Sequence, residues 1–135
     1  MLRLDRAYLR VTSRALDAAD AAGDSGVQEK AGFLSYHAFE SAGGAFCISR
    51  GIIYHPASHR QKVERFVREA RAEKFSASVA QLAIEVASIR NRLLYPQVLP
   101  DGSAGLPEDL ISIAQAKRLA GRVRVLAGRV GATLP

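Results

Sequence analysis

The sequence predicts an all-α fold: a five-helix antiparallel bundle in a single domain over residues 1–135, with its core at about residues 3–130. Three observations predict it. Apolar residues recur at steps of three and four along most of the chain. No stretch alternates apolar and polar residues as a half-buried strand would. The periodic segments are separated by mostly short breaks of Gly, Pro and Ser, which suits antiparallel neighbours.

The first helix covers residues 3–22, with Leu4, Tyr8, Val11, Ala15, Ala18 and Ala22 on one face. Gly23-Asp24-Ser25-Gly26 breaks it. The second helix runs from about Val27 to Arg50 and is apolar on most sides, through Phe33, Leu34, Tyr36, Phe39, Ala42, Phe46 and Ile48. Such a helix belongs at the centre of a bundle. Gly43-Gly44 in its middle costs about 1 kcal/mol per glycine, which a close approach by a neighbouring helix backbone would explain. Residues 51–56 form a loop. Ser58 reads as the N-cap of a third helix, from about His59 to Lys74, that buries Val63, Phe66, Val67 and Ala70. After a break near Phe75-Ser76, a fourth helix carries Val79, Leu82, Ala83, Val86, Ile89 and Leu93 and ends at Pro96. Residues 96–107 hold three prolines and two glycines and form a loop. The fifth helix starts at Pro107 or Glu108 and buries Ile113, Ala116, Leu119, Ala120, Val123, Leu126 and Val130.

Composition narrows the function classes. The one cysteine, Cys47, allows no internal disulfide and no Cys-x-x-Cys zinc site, and mid-helix it reads as a small buried hydrophobe. No uncharged run approaches the roughly 20 residues of a membrane span, so no membrane partner is expected. Met-Leu-Arg-Leu-Asp at the start shows no apolar leader, and the expected compartment is the cytoplasm. The chain carries 19 basic and 13 acidic residues, a net +6, and fifteen of the basic residues are arginine. Arginine pairs with phosphate through two N–H groups at once, so the excess points to nucleic acid; codon usage in a GC-rich genome would give the same bias.

Arg90 is the most informative position. It follows Val86 by four residues and precedes Leu93 by three, so it falls on or beside an apolar stripe, where an unpaired charge is costly. One reading is a buried salt bridge to Glu40 or Glu85. The other is a cationic phosphate site, with Asn91 beside it and Tyr95 at the helix end. Among the histidines, His37 reads as a satisfied core residue, His55 as a loop residue, and His59 as the first helical residue after Ser58. Neither His55 nor His59 has a carboxylate or cysteine at metal-ligand spacing, so no metal is expected. Arg3, Arg6, Arg10 and Arg14 form a stripe on the first helix, and Arg118, Arg122 and Arg129 one on the fifth. Beyond Asp109 there are five basic residues and no acid. These stripes read either as solvated surface or as an electrostatic footprint for RNA.

Three segments together resemble the HEPN family (higher eukaryotes and prokaryotes nucleotide-binding domains). Ser35-Tyr36-His37-Ala38-Phe39 is similar to that family's Tyr-x-Ala-Met/Phe helix start. Ser58-His59 followed by Phe66 is similar to its Ser-His entry to helix three. Arg90-Asn91-Arg92-Leu93-Leu94-Tyr95 is similar to its Arg-Asn-x-x-x-His signature. The resemblance covers about residues 3–130 and implies a homodimer whose two signature segments share a cleft. It implies no cofactor. Many family members are metal-independent endoribonucleases of toxin–antitoxin, CRISPR or phage-defence systems, and several work beside a nucleotidyltransferase.

By that resemblance, Arg90, Asn91 and Tyr95 are the catalytic candidates, and Arg92, Arg3, Arg6, Arg10, Arg118 and Arg122 are nucleic-acid-binding candidates. Tyr95 stands where the signature has histidine, and a phenol titrating near 10 is a poor base at neutral pH. The expectation is therefore a protein that binds RNA or nucleotide phosphate, with weak metal-independent cleavage. The alternative is a non-catalytic module that works with a nucleotidyltransferase or other partner protein.

Overall fold

The computed structural model describes residues 2–135. Its helices are α1 (Leu4–Asp24), α2 (Gln28–Ser49), α3 (His59–Glu69), α4 (Ser76–Ala87) and α5 (Ile113–Thr133), joined as an all-α bundle. A two-residue hairpin, β1 (Gln97–Val98) with β2 (Ala104–Gly105), interrupts the α4–α5 connection. Among the described residues no helix is long and apolar enough to cross a membrane.

The apolar character of α2 on most sides puts it at the centre, with α1, α3 and α5 packed along it. Every residue from 38 to 47 is buried. A line of aromatic rings joins α2 to its neighbours: Phe39 lies 5.3 Å from Phe66, Phe46 lies 5.9 Å from Phe66, and Phe46 meets Phe75 edge-on at 5.6 Å. Such ring pairs add about 0.5–1.5 kcal/mol each beyond their buried area. Cys47 is wholly buried beside them, and burial pushes its thiol up to about 12, so it stays protonated and inert.

The paired glycines of α2 face aromatic side chains rather than a neighbouring backbone. A Cβ on Gly43 would lie 2.7 Å from both the Phe66 ring and the Tyr54 hydroxyl, and one on Gly44 would lie 2.5 Å from the Tyr8 ring. The rings of α1 and α3 thus sit directly on the α2 backbone.

Several expectations change. On α1 the buried face is Asp5, Thr12, Ala15, Leu16, Ala19 and Gly23, while Leu4, Val11 and Ala18 are exposed. Alanine-rich periodicity fixes a face poorly, and Thr12 enters the core because its hydroxyl bonds the Tyr8 carbonyl at 2.9 Å. His37 is exposed, not a core residue: the buried positions 35, 36, 38 and 39 leave it on the open side of α2. α3 stops at Glu69, and a 3₁₀ turn follows at Ala70–Ala72. α4 ends at Ala87, well before Pro96, and residues 88–94 continue as turns. There the Ser88 hydroxyl bonds the Glu85 carbonyl at 3.2 Å, and the segment leads into Pro96. α5 begins at Ile113, not Pro107: Ser112 and Gln115 form a reciprocal cap, and Pro107–Asp109 is a separate 3₁₀ turn.

Gly44→Ala should lower stability by about 1–3 kcal/mol, because the clash with Tyr8 exceeds the gain in helix propensity. Gly121→Ala on α5 meets nothing within 4 Å and should raise stability by about 0.5–1 kcal/mol. Urea unfolding of the two variants checks both signs.

Candidate functional site

The capping box at the start of α3 sets the position of the first functional side chains. The Ser58 hydroxyl accepts from the Gln61 N–H at 3.1 Å, and the Gln61 side chain accepts from the Ser58 N–H at 3.0 Å. His59 and Arg60 therefore occupy the first turn of α3, where the helix dipole already favours anions. The chain beyond α4 supplies the opposite wall through Ser88, Arg90, Asn91 and Arg92. Between these walls, with Tyr36 of α2 also at the lining, lies a cleft of about 640 Å³.

A buried carboxylate organises the α2 side. Glu40 accepts hydrogen bonds from the Tyr36 hydroxyl at 2.5 Å and the Lys62 ammonium at 3.3 Å, and its Oε2 lies 2.8 Å from His59 Nδ1. Its main-chain carbonyl accepts from the Tyr54 hydroxyl at 2.7 Å. Burial works to raise the Glu40 pKa, but the hydrogen bonds from Tyr36 and His59 and the charges of His59 and Lys62 outweigh it and hold the pKa below the usual glutamate range. Tyr36 moves the other way: burial, then the bond to Glu40, keeps its phenol protonated. Tyr36 is thus a donor to Glu40, not a base.

Arg90 forms neither of the salt bridges that its place on the stripe suggested. Glu40 is taken by Tyr36, His59 and Lys62, and Glu85 pairs with Arg122 of α5. Because α4 ends at Ala87, Arg90 lies in a turn and not on the helical stripe. Its Nη1 donates to Asn91 Oδ1 at 3.2 Å, and its Nε is buried with no hydrogen-bond partner among the described residues. A buried donor left unmade costs about 1–3 kcal/mol. Arg60 and Arg92 add positive charge to the same lining, against the one acid Glu64, which bonds Arg60 at 2.9 Å.

The other sequence candidates lie elsewhere. Tyr95 is 61% exposed and does not line the cleft. Arg118 and Arg122 line a second groove, of about 570 Å³, between α4 and α5. Arg3 pairs with Asp5, Arg6 donates to the main-chain oxygens of Leu134 and Pro135, and Arg10 is exposed on α1. The structure thus brings Arg90, Asn91 and Arg92 together, with Arg60 beside them, and leaves Arg3, Arg6, Arg10, Arg118 and Arg122 outside the cleft lining. Sequence reasoning passed over the Glu40–His59 pair, because the two stand 19 positions apart. The Ser58 cap was the one signal that could have placed His59. Among the described residues no three His, Cys, Asp or Glu side chains are grouped to hold a metal ion. No family model, curated protein or solved structure matches this chain.

Removing the Glu40 carboxylate leaves the part-buried Lys62 and the buried Tyr36 hydroxyl without it, so Glu40→Ala should cost about 3 kcal/mol at pH 7. The pH dependence has a definite sign. A carboxyl with a lowered folded pKa stabilises above its unfolded pKa of about 4.3, and that stability is lost as pH falls through the folded value. The melting temperature of the parent should therefore drop below about pH 5, and Glu40→Gln should show a smaller drop over the same range.

Proposed function

We propose that the cleft binds the phosphate of RNA or of a nucleotide, and that the protein is a HEPN-like RNA-directed module, dimeric, with at most weak metal-independent cleavage. One observation carries the reading: the buried, unpartnered Nε of Arg90 at a cleft lined by two further arginines. A guanidinium with a free N–H suits a phosphate oxygen better than a neutral ligand, because charge-assisted bonds are about twice as strong as neutral ones. Dimerisation and a toxin–antitoxin or defence role rest on the sequence resemblance alone.

The test is fluorescence anisotropy with single-stranded RNA. Arg90→Ala should weaken binding by at least about tenfold, the size of one lost charged hydrogen bond. Arg90→Lys should recover part of it, since lysine keeps the charge and loses the fork. Affinity should fall steeply with salt. Binding by Arg90→Ala equal to the parent contradicts the site.

The alternative, a non-catalytic module working with a nucleotidyltransferase or other protein, has one observation of its own. Tyr95 and Val98, 61% and 86% exposed, present apolar side chains around the hairpin. A parent protein that binds no RNA at micromolar concentration favours this alternative.

A further inference from the structure

We propose that His59 is the general base of this cleft, its Nε2 taking the proton from the RNA 2′-hydroxyl beside the phosphate held by Arg90, with Glu40 as its positioning residue. The inference rests on the phosphate-binding reading above. It supplies the proton-transfer group that Tyr95, outside the cleft, does not.

Geometry carries it. His59 and Arg90 line the same cleft from opposite walls. His59 Nδ1 lies 2.8 Å from Glu40 Oε2, and an ionised carboxylate only accepts, so Nδ1 carries the hydrogen. In the neutral imidazole the lone pair is then on Nε2. Glu40 cannot swing away, because Tyr36 holds the same oxygen at 2.5 Å and Lys62 the other at 3.3 Å. The Tyr36 ring packs edge-on against the imidazole, with centroids 6.2 Å apart. The Glu40 side chain is 9% exposed and the His59 side chain 50%, so one edge of the imidazole is anchored and the rest is open to a ligand. A histidine serving only as a helix-start salt bridge would need neither the cleft nor the opposed arginine.

The step balances without a co-reactant. As Nε2 takes the proton, the 2′-oxygen attacks phosphorus and the O2′–P bond forms. The P–O5′ bond breaks, and its electron pair leaves on the 5′-oxygen, which is protonated from water while the imidazolium returns its proton to solvent. The products are a 2′,3′-cyclic phosphate and a 5′-hydroxyl. Arg90 and Arg92 neutralise the charge that grows on the phosphoryl oxygens.

The experiment uses EDTA-treated protein and a single-stranded RNA, with a matched strand carrying 2′-deoxy residues. The parent should leave a 2′,3′-cyclic end, and the deoxy strand should stay whole. His59→Asn keeps a donor towards Glu40 and removes the base; it should cut about 10²–10⁴-fold more slowly while binding RNA within about threefold of the parent. Tyr95→Phe should cut at the parent rate. Glu40→Gln should lower kcat with little change in KM, with part of the rate recovered in Glu40→Asp. Circular dichroism confirms folding of each variant, and His59→Gln serves if His59→Asn does not fold. Parental cleavage by a folded His59 variant overturns the inference, as does a parent that binds RNA and leaves it uncut. A parent that binds no RNA overturns the phosphate-binding reading as well, which sets the two failures apart.

Discussion

The site depends on one buried carboxylate. Glu40 lies on the helix at the centre of the bundle, 7% exposed, where an unpaired charge would be untenable. Its side chain is satisfied by Tyr36 from one turn earlier and by His59 and Lys62 from α3, and its carbonyl by Tyr54 from the α2–α3 connection. These bonds fix how the start of α3 meets α2. They therefore fix one wall of the cleft. The aromatic contacts on Gly43 and Gly44 act alongside, since they bring α1 and α3 onto the same helix.

The opposite wall has a different origin. It is made where a helix fails to continue. Val86 and Leu93 are both buried, but the chain between them leaves helical geometry after Ala87. Leu93 still reaches the core and packs against Gly32. That anchor holds Arg90, Asn91 and Arg92 beside α3 while freeing them from the α4 stripe. The result is a guanidinium whose natural internal partners are already occupied. In a folded protein a donor so placed is unusual.

Much of the fold was legible in the sequence, and less of the site. The central place of α2, the Ser58 cap and the buried faces of α3 and α4 followed from apolar periodicity and capping chemistry. The face of α1 was misplaced because alanine contributes little contrast between inside and outside. The end of α4 was misplaced because apolar spacing through Ile89 and Leu93 persists after the helix stops. At the site, Arg90 stood out as a charge where an apolar residue was expected. Glu40 and His59 did not stand out as a pair, because only the α2–α3 packing brings them together. Nor could charge counting show that the arginines singled out in the sequence do not all lie together.

The central claim is that the Arg90 N–H is a donor reserved for an anionic oxygen. Proton–nitrogen NMR of the arginine side chains reads that atom directly. Titration with a short single-stranded RNA should move the Arg90 Nε–H resonance downfield and slow its exchange with water, as a new hydrogen bond to phosphate requires. An Arg90 Nε–H signal unchanged at saturating RNA would contradict the account.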